Sequence, residues 1–179
     1  MKIVDGLLPN HLVDSLLSIA EGVAFNRGGS SNNYKVWTNL SWNEGVVRNS
    51  SPIICIATPD NLLLEIQDCL IRNGMIDLDL NVPITETKSV TIYIGTKDSY
   101  IPPHNDNTHG KAISIYLNRS WRLSDGGLFC WKDGEGIRCI EPRLNVAVEN
   151  TSHELHFTTP VTTREYPRIS LQIFIANRQ

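Results

Sequence analysis

The chain has 179 residues, 16 basic and 19 acidic side chains, a formal charge of −3 and a pI near 5.9. A chain of this length is normally one domain that buries roughly 70% of its unfolded surface, and its slight acidity argues against nucleic acid as a general partner. No stretch approaches the ~18 apolar residues of a membrane span, and Met1-Lys2-Ile3-Val4-Asp5 opens no long apolar leader, so a cytoplasmic protein without membrane attachment is expected.

In chain order, Lys2-Ile3-Val4 is a short strand candidate. A helix is predicted over about residues 9–22, where Leu12, Leu16 and Ile19 recur at i, i+4 and i+7 with Val13 and Ala20 alongside, forming one stripe that can dock on a sheet. His11 lies off that stripe and carries no ligand role. Residues 26–51 are rich in Asn, Ser and Gly; 28–33 read as a loop, and Trp37 and Trp42 interrupt the polar run. Ile53-Ile54-Cys55-Ile56-Ala57 is apolar enough for a buried strand. Pro59-Asp60 opens a second helix with Leu62, Leu63, Ile66 and Leu70 on one face and Gly74 as its stop.

From residue 87 the texture is β, with candidate strands at 88–95, 111–117, 127–131, 137–140, 144–149, 155–162 and 168–175. Asp125-Gly126-Gly127 is a turn signal, and Lys132-Asp133-Gly134-Glu135-Gly136 joins two strands as a hairpin. Short strands following two helices predict a β-sandwich or jelly roll whose outer face the N-terminal helices cover. Cys55, Cys69, Cys130 and Cys139 form no Cys-x-x-Cys pair and are expected to be reduced and mostly buried. Cys130 and Cys139 can face each other across the hairpin, but no disulfide is implied.

The chemistry concentrates in Tyr100-Ile101-Pro102-Pro103-His104-Asn105-Asp106-Asn107. On an extended backbone His104 and Asp106 point to the same side and form a pincer for one cation. His153 and His156 follow about fifty residues later, then Arg168-Ile169-Ser170 in an apolar strand. Two histidines and one carboxylate make the facial triad of non-haem Fe(II) oxygenases, which leaves positions open for cosubstrate and O2. His153 and His156 are three residues apart, so in a strand only one of them can reach such a metal. His109, on the loop toward Gly110, reads as a surface or substrate-side residue.

The order of these fragments resembles the Fe(II)/2-oxoglutarate dioxygenases, in particular the prolyl 4-hydroxylase-like branch. The resemblance rests on Tyr93 through Asp106, Ile115-Tyr116-Leu117-Asn118 with Trp121, Gly126-Gly127-Leu128, Ile140-Glu141-Pro142, His156 with Pro160-Val161, and Arg168-Ile169-Ser170. It covers roughly residues 88–176 and, more loosely, Val4 to Pro9. It implies a mainly β fold with N-terminal helices: a double-stranded β-helix (jelly roll) at about 87–176, covered by two helices from about 1–86, in one domain over 1–179. It implies Fe(II) held by His104, Asp106 and His156, the histidine four residues before Pro-Val, with 2-oxoglutarate and O2 as cosubstrates and ascorbate as reductant. Arg168 is the implied partner of the distal 2-oxoglutarate carboxylate, with Ser170 on the same face, because a guanidinium fork matches a carboxylate bidentately. Arg164, in a turn-like Thr-Thr-Arg-Glu-Tyr stretch, is the competing cation, and a solvent-facing Arg168 is the plainer alternative.

Tyr93 and Tyr116 resemble tyrosines that the branch places around 2-oxoglutarate; alternatively they simply fill strands. The implied reaction is oxidative decarboxylation of 2-oxoglutarate to succinate and CO2, coupled to hydroxylation of an unactivated C–H. Asp106 favours hydroxylation, since related halogenases replace that carboxylate with a small residue. A prolyl residue in a peptide or protein is the implied substrate, with a free amino acid or small metabolite as the alternative. From another class, a non-catalytic cupin-like metal-binding jelly roll would keep the histidines and Asp106 but would not need Arg168. Trp37 and Trp42 either fold over the iron as a lid or belong to an ordinary surface loop.

Overall fold

The structure is a computed structural model that describes residues 1–25, 35–38, 50–76, 89–106, 110–151 and 153–175. The loop at 28–33, Trp42 and His109 lie outside the described residues. The elements are β1 (Lys2–Asp5), α1 (Asn10–Phe25), β2 (Val36–Thr38), β3 (Ile53–Ala57), α2 (Asp60–Arg72), β4 (Ser89–Gly95), β5 (Ile101–His104), β6 (Lys111–Tyr116), β7 (Phe129–Asp133), β8 (Gly136–Ile140), β9 (Val146–Thr151), β10 (His156–Thr158) and β11 (Arg168–Ile175). The described chain is thus mainly β, with two helices and two antiparallel sheets. The larger sheet runs β1-β9-β6-β11-β4-β3-β2 and the smaller β5-β10-β7-β8. No helix among the described residues is long and apolar enough to cross a membrane.

The larger sheet is two-faced because side chains alternate along its strands. Rows of cross-strand partners such as Ile56, Ile92, Leu171, Ile115 and Ala147 place aliphatic side chains on one face. These pack with Leu12, Leu16 and Ala20 of α1 and with Ile66 and Leu70 of α2 in one buried cluster. Helix α2 stops as predicted at Gly74, whose φ is +59°. The Gly74 N–H donates to the Ile71 carbonyl and the Met75 N–H to that of Leu70, the paired bonds of a Schellman motif, with Leu70 and Met75 both fully buried.

Three local expectations are corrected. Ile101–His104 is a strand despite Pro102-Pro103, and it forms an edge of the smaller sheet, where a residue without an N–H is tolerated. The strand predicted over 155–162 is shorter, ending at Thr158 ahead of Pro160, with Val161 bridging singly to Gly126. Cys130 and Cys139 are directly paired across the β7–β8 hairpin and joined in a disulfide, whereas Cys55 and Cys69 are free thiols. Of the free pair Cys55 is buried, and burial pushes its thiol up to about 12.

Asn145 ties the N-terminal segment to the sheets. It adopts a left-handed φ of 59°, donates its N–H to the Tyr116 carbonyl at 2.7 Å and accepts the Gly6 N–H at 2.9 Å. Its side-chain amide accepts from the Leu8 N–H at 2.8 Å and donates to the Leu8 carbonyl at 2.6 Å. Asn145→Ala is expected to lower stability by about 2 kcal/mol, roughly 4–8 °C in Tm, through loss of both side-chain bonds and strain at the positive φ. Asn145→Gly, which relieves the strain but not the lost bonds, is expected to fall between the two in a thermal melt.

Candidate active site

His104 ends β5, and His156 begins β10 directly opposite it in the antiparallel ladder. Asp106 follows two residues after His104. The three offer ligand atoms that all lie within 4.8 Å of one another. His104 Nε2 is 3.6 Å from Asp106 Oδ1, and His156 Nε2 is 3.5 Å from Asp106 Oδ2. Both Nδ1 atoms meet a backbone carbonyl two residues earlier at 2.9 Å, His104 that of Pro102 and His156 that of Glu154. A carbonyl only accepts, so Nδ1 carries a proton on both rings, and Nε2 is the nitrogen of each that faces Asp106. Side-chain exposure is 26% at His104 but 9% and 8% at Asp106 and His156, which makes His104 the open side of the group.

Burial pushes the His156 imidazole below its ordinary value of 6.5. Neighbouring His104 works in the same direction, while the Glu154 carbonyl and the Asp106 carboxylate oppose the shift. The ring stacks on Phe129 at 5.5 Å, and Phe129 packs with Tyr116, Trp131, Val146 and Val148 in a second buried cluster. His156 therefore rests on a dry aromatic wall that reaches across to the larger sheet.

Opposite the aliphatic face, the larger sheet presents polar side chains. Tyr93, Ser170 and Tyr116 are direct cross-strand partners on β4, β11 and β6, so they share a face. Arg168 and Gln172 share it by alternation along β11. Arg168 is buried; it donates Nε–H to the Gly127 carbonyl at 2.8 Å, approaches Ser170 Oγ at 3.5 Å and stands 5.1 Å over the Tyr116 ring. Gln172 donates to Ser170 Oγ at 2.9 Å and accepts from Ser114 Oγ at 2.7 Å. Among the described residues no carboxylate pairs with Arg168, and burial pulls its guanidinium below its ordinary range. The Tyr116 hydroxyl, fully buried beside Arg168 and Ser114 and pushed up to about 12 by burial, completes no hydrogen bond among the described residues.

The glycines of the predicted turn shape this cradle. Gly127 has φ +60°, and a Cβ there would meet Arg168 Cδ at 2.9 Å. Gly126, at φ +68°, would drive a Cβ to 2.1 Å from the Pro160 carbonyl oxygen. Asn118 braces the start of β11, donating to the Pro167 carbonyl and accepting the Ile169 N–H.

The structure thus brings His104, Asp106 and His156 into one group, and Arg168, Ser170, Tyr93 and Tyr116 onto one face. His153 and Arg164 are exposed and belong to neither. Trp37 is half-buried beside Cys55 and Tyr93 at the β2 edge of the same face. Two residues went unnoticed in the sequence. Gln172 is the next inward position after Ser170, and Asn150 donates to Asp106 Oδ2 at 3.0 Å. The available signal was phase: Val146, Val148 and Asn150 alternate inward, so a polar residue falls on a buried register.

No family model matches the sequence, and no curated protein does so at significant similarity. Solved structures similar to this chain include prolyl hydroxylases and other 2-oxoglutarate/Fe(II) oxygenases. A prolyl 4-hydroxylase of Pseudomonas putida is 15% identical with a TM-score of 0.61, covering 99% of this chain and 92% of that one. A Trichoplax adhaerens prolyl hydroxylase, solved with a hypoxia inducible factor oxygen degradation domain peptide fragment, is 13% identical with a TM-score of 0.67 over 97% and 81%. An oxidoreductase of the 2-oxoglutarate/Fe(II) oxygenase family from Burkholderia pseudomallei is 18% identical with a TM-score of 0.63 over 99% and 87%. At such identities the similarity defines the fold, which is jelly-roll-like and of the oxygenase type.

The depressed His156 has a consequence for stability. The unfolded chain takes up a proton near 6.5 while the folded chain resists it until lower pH, so the unfolded state binds more protons in that window. Metal-free protein is expected to lose stability as pH falls below about 6.5, by at most ~1.4 kcal/mol per pH unit from this group. His156→Gln should flatten that part of the profile in denaturant titrations at pH 7.5 and 5.5, and an unchanged slope would assign the effect to other groups.

Proposed function

We propose that the protein is an Fe(II)- and 2-oxoglutarate-dependent dioxygenase, a double-stranded β-helix enzyme of the prolyl 4-hydroxylase-like kind. It hydroxylates an unactivated C–H, that of a prolyl residue in a peptide or protein. The observation that carries the reading is a buried Arg168, with no carboxylate partner among the described residues, on the sheet face that shares an aromatic wall with the His104, Asp106 and His156 group. An isolated buried cation costs several kcal/mol unless an anion completes it. A metal-binding module without catalysis has no use for one there. The Tyr116 hydroxyl, which has no partner among the described residues, and the Gly127 cradle fit the same anion.

In this reading His104 and His156 supply neutral imidazoles and Asp106 a carboxylate, the ligand set of non-haem Fe(II) oxygenases. Bound there with 2-oxoglutarate, iron supplies O2 activation coupled to decarboxylation of the cosubstrate to succinate and CO2. Arg168 holds the distal carboxylate of 2-oxoglutarate through its remaining N–H groups, with the Tyr116 hydroxyl as a further donor and Ser170 and Tyr93 alongside. Phe129, Trp131, Val146 and Val148 exclude water from the interior. Ascorbate as reductant belongs to the same proposal. A peptide substrate is supported by the peptide-bound Trichoplax adhaerens relative and by the exposure of His104, which opens one side of the group.

Anaerobic addition of 2-oxoglutarate to the Fe(II)-loaded protein is expected to produce a weak visible charge-transfer band. Succinate release across a screen of proline-containing peptides and free amino acids then reads the substrate class. Asp106→Ala and His156→Ala should each lose Fe(II) binding and turnover, while His153→Ala keeps both within a few-fold. Arg168→Ala should raise the 2-oxoglutarate requirement by at least ~2 kcal/mol, about thirtyfold, with Fe(II) affinity little changed. Gly127→Ala should raise it in the same direction by displacing the arginine. An absent band together with no succinate from any substrate would overturn the reading.

A further inference from the structure

We propose that Asn150 is a positioning residue for the metal, its side-chain amide holding the Asp106 carboxylate in the orientation that faces both imidazoles; this deepens the metal-centre reading above and rests on it. Each ligand of such a centre needs something to orient it. His104 and His156 obtain this locally, from carbonyls two residues back along the chain. Asp106 lies beyond the end of β5 and outside the ladder, and among the described residues no neighbour along the chain holds its carboxylate. Among the described residues, the hydrogen bond to its carboxylate comes from Asn150 Nδ2, 3.0 Å from Oδ2 and 44 positions away in sequence.

Asn150 is otherwise unexpected where it stands. It follows Val146 and Val148 on the inward register of β9, pairs with Ala112 of β6, and is 1% exposed. Burying an amide there costs ~1–3 kcal/mol unless it is hydrogen-bonded, and a third valine would avoid that cost. Donation to Asp106 accounts for the choice. The bond also spans the two sheets, fixing a carboxylate at the end of the smaller sheet against a residue embedded in the larger one. An amide suits the task better than a lysine or arginine because it restrains the carboxylate without neutralising it. Asp106 Oδ1 stays turned toward His104 Nε2 while Oδ2, bridged to Asn150, faces His156 Nε2.

The test is Co(II) titration of the full chain, reading both affinity and visible absorption, in wild type, Asn150→Leu and Asn150→Ala. Leucine keeps the branched shape and the number of heavy atoms and removes the donor; alanine removes both and stands in if the bulkier leucine variant does not fold. Co(II) affinity is expected to fall ten- to a hundredfold in each variant, with a changed absorption spectrum and, for Asn150→Leu, a metal-free Tm within a few degrees of wild type. Wild-type affinity and spectrum in Asn150→Leu would overturn the proposal and leave Asn150 a space-filling role. Weakened variants of a wild type that binds Co(II) but never turns over 2-oxoglutarate would support it while the enzymatic reading fails. A wild type that takes up no Co(II) would end both.

Discussion

Alternation along β11 is the constraint on which the rest of the structure depends. Ile169, Leu171 and Ile173 point to the helices, whereas Arg168, Ser170 and Gln172 point into the space between the sheets. One strand therefore serves the aliphatic core and the polar interior together, and a slip of one residue would exchange them. The aliphatic rows of β3, β4, β6 and β9 lock that register, because a one-residue slip would turn Leu171 and its neighbours away from α1 and α2. Packing energy on one face thus determines where a guanidinium stands on the other.

A buried arginine is tolerable only where its N–H groups are met. The Gly127 carbonyl meets one, and it can approach because neither glycine of the Gly126-Gly127 pair carries a Cβ. Both take φ values that other residues adopt at a cost. Aromatic contact with Tyr116 offsets part of the remaining burden. What is left, a buried cation beside a hydroxyl with no partner among the described residues, is costly as a structural feature alone, which is the ground for proposing an anionic ligand there.

The group of His104, Asp106 and His156 is assembled on a different principle. Its histidines face each other across the β5–β10 ladder, so backbone pairing brings Nε2 atoms together from residues 52 apart in sequence. Asp106 is delivered by chain proximity to His104 and held by an amide from the other sheet. The site therefore draws on both sheets, and each ligand has its own hydrogen-bonded support.

Local pattern in the sequence determined both helices, the Gly74 stop, most of the strands, and the shared face of Arg168 and Ser170. Each follows from a period of 3.6 or 2, or from a turn residue with a special φ, and needs no partner strand to be known. Strand spacing alone left His153 and His156 in competition, because periodicity states that two residues face opposite ways without stating which way is in. Tertiary pairing decided the matter, seating His156 opposite His104 and leaving His153 exposed. The same long-range register decided that Cys130 and Cys139 meet, that an edge strand accommodates Pro102-Pro103, and that Asn150 reaches Asp106. None of these is written in local spacing, since each depends on which strands neighbour one another and in what alignment, a choice made by burying the aliphatic face of the larger sheet under two helices.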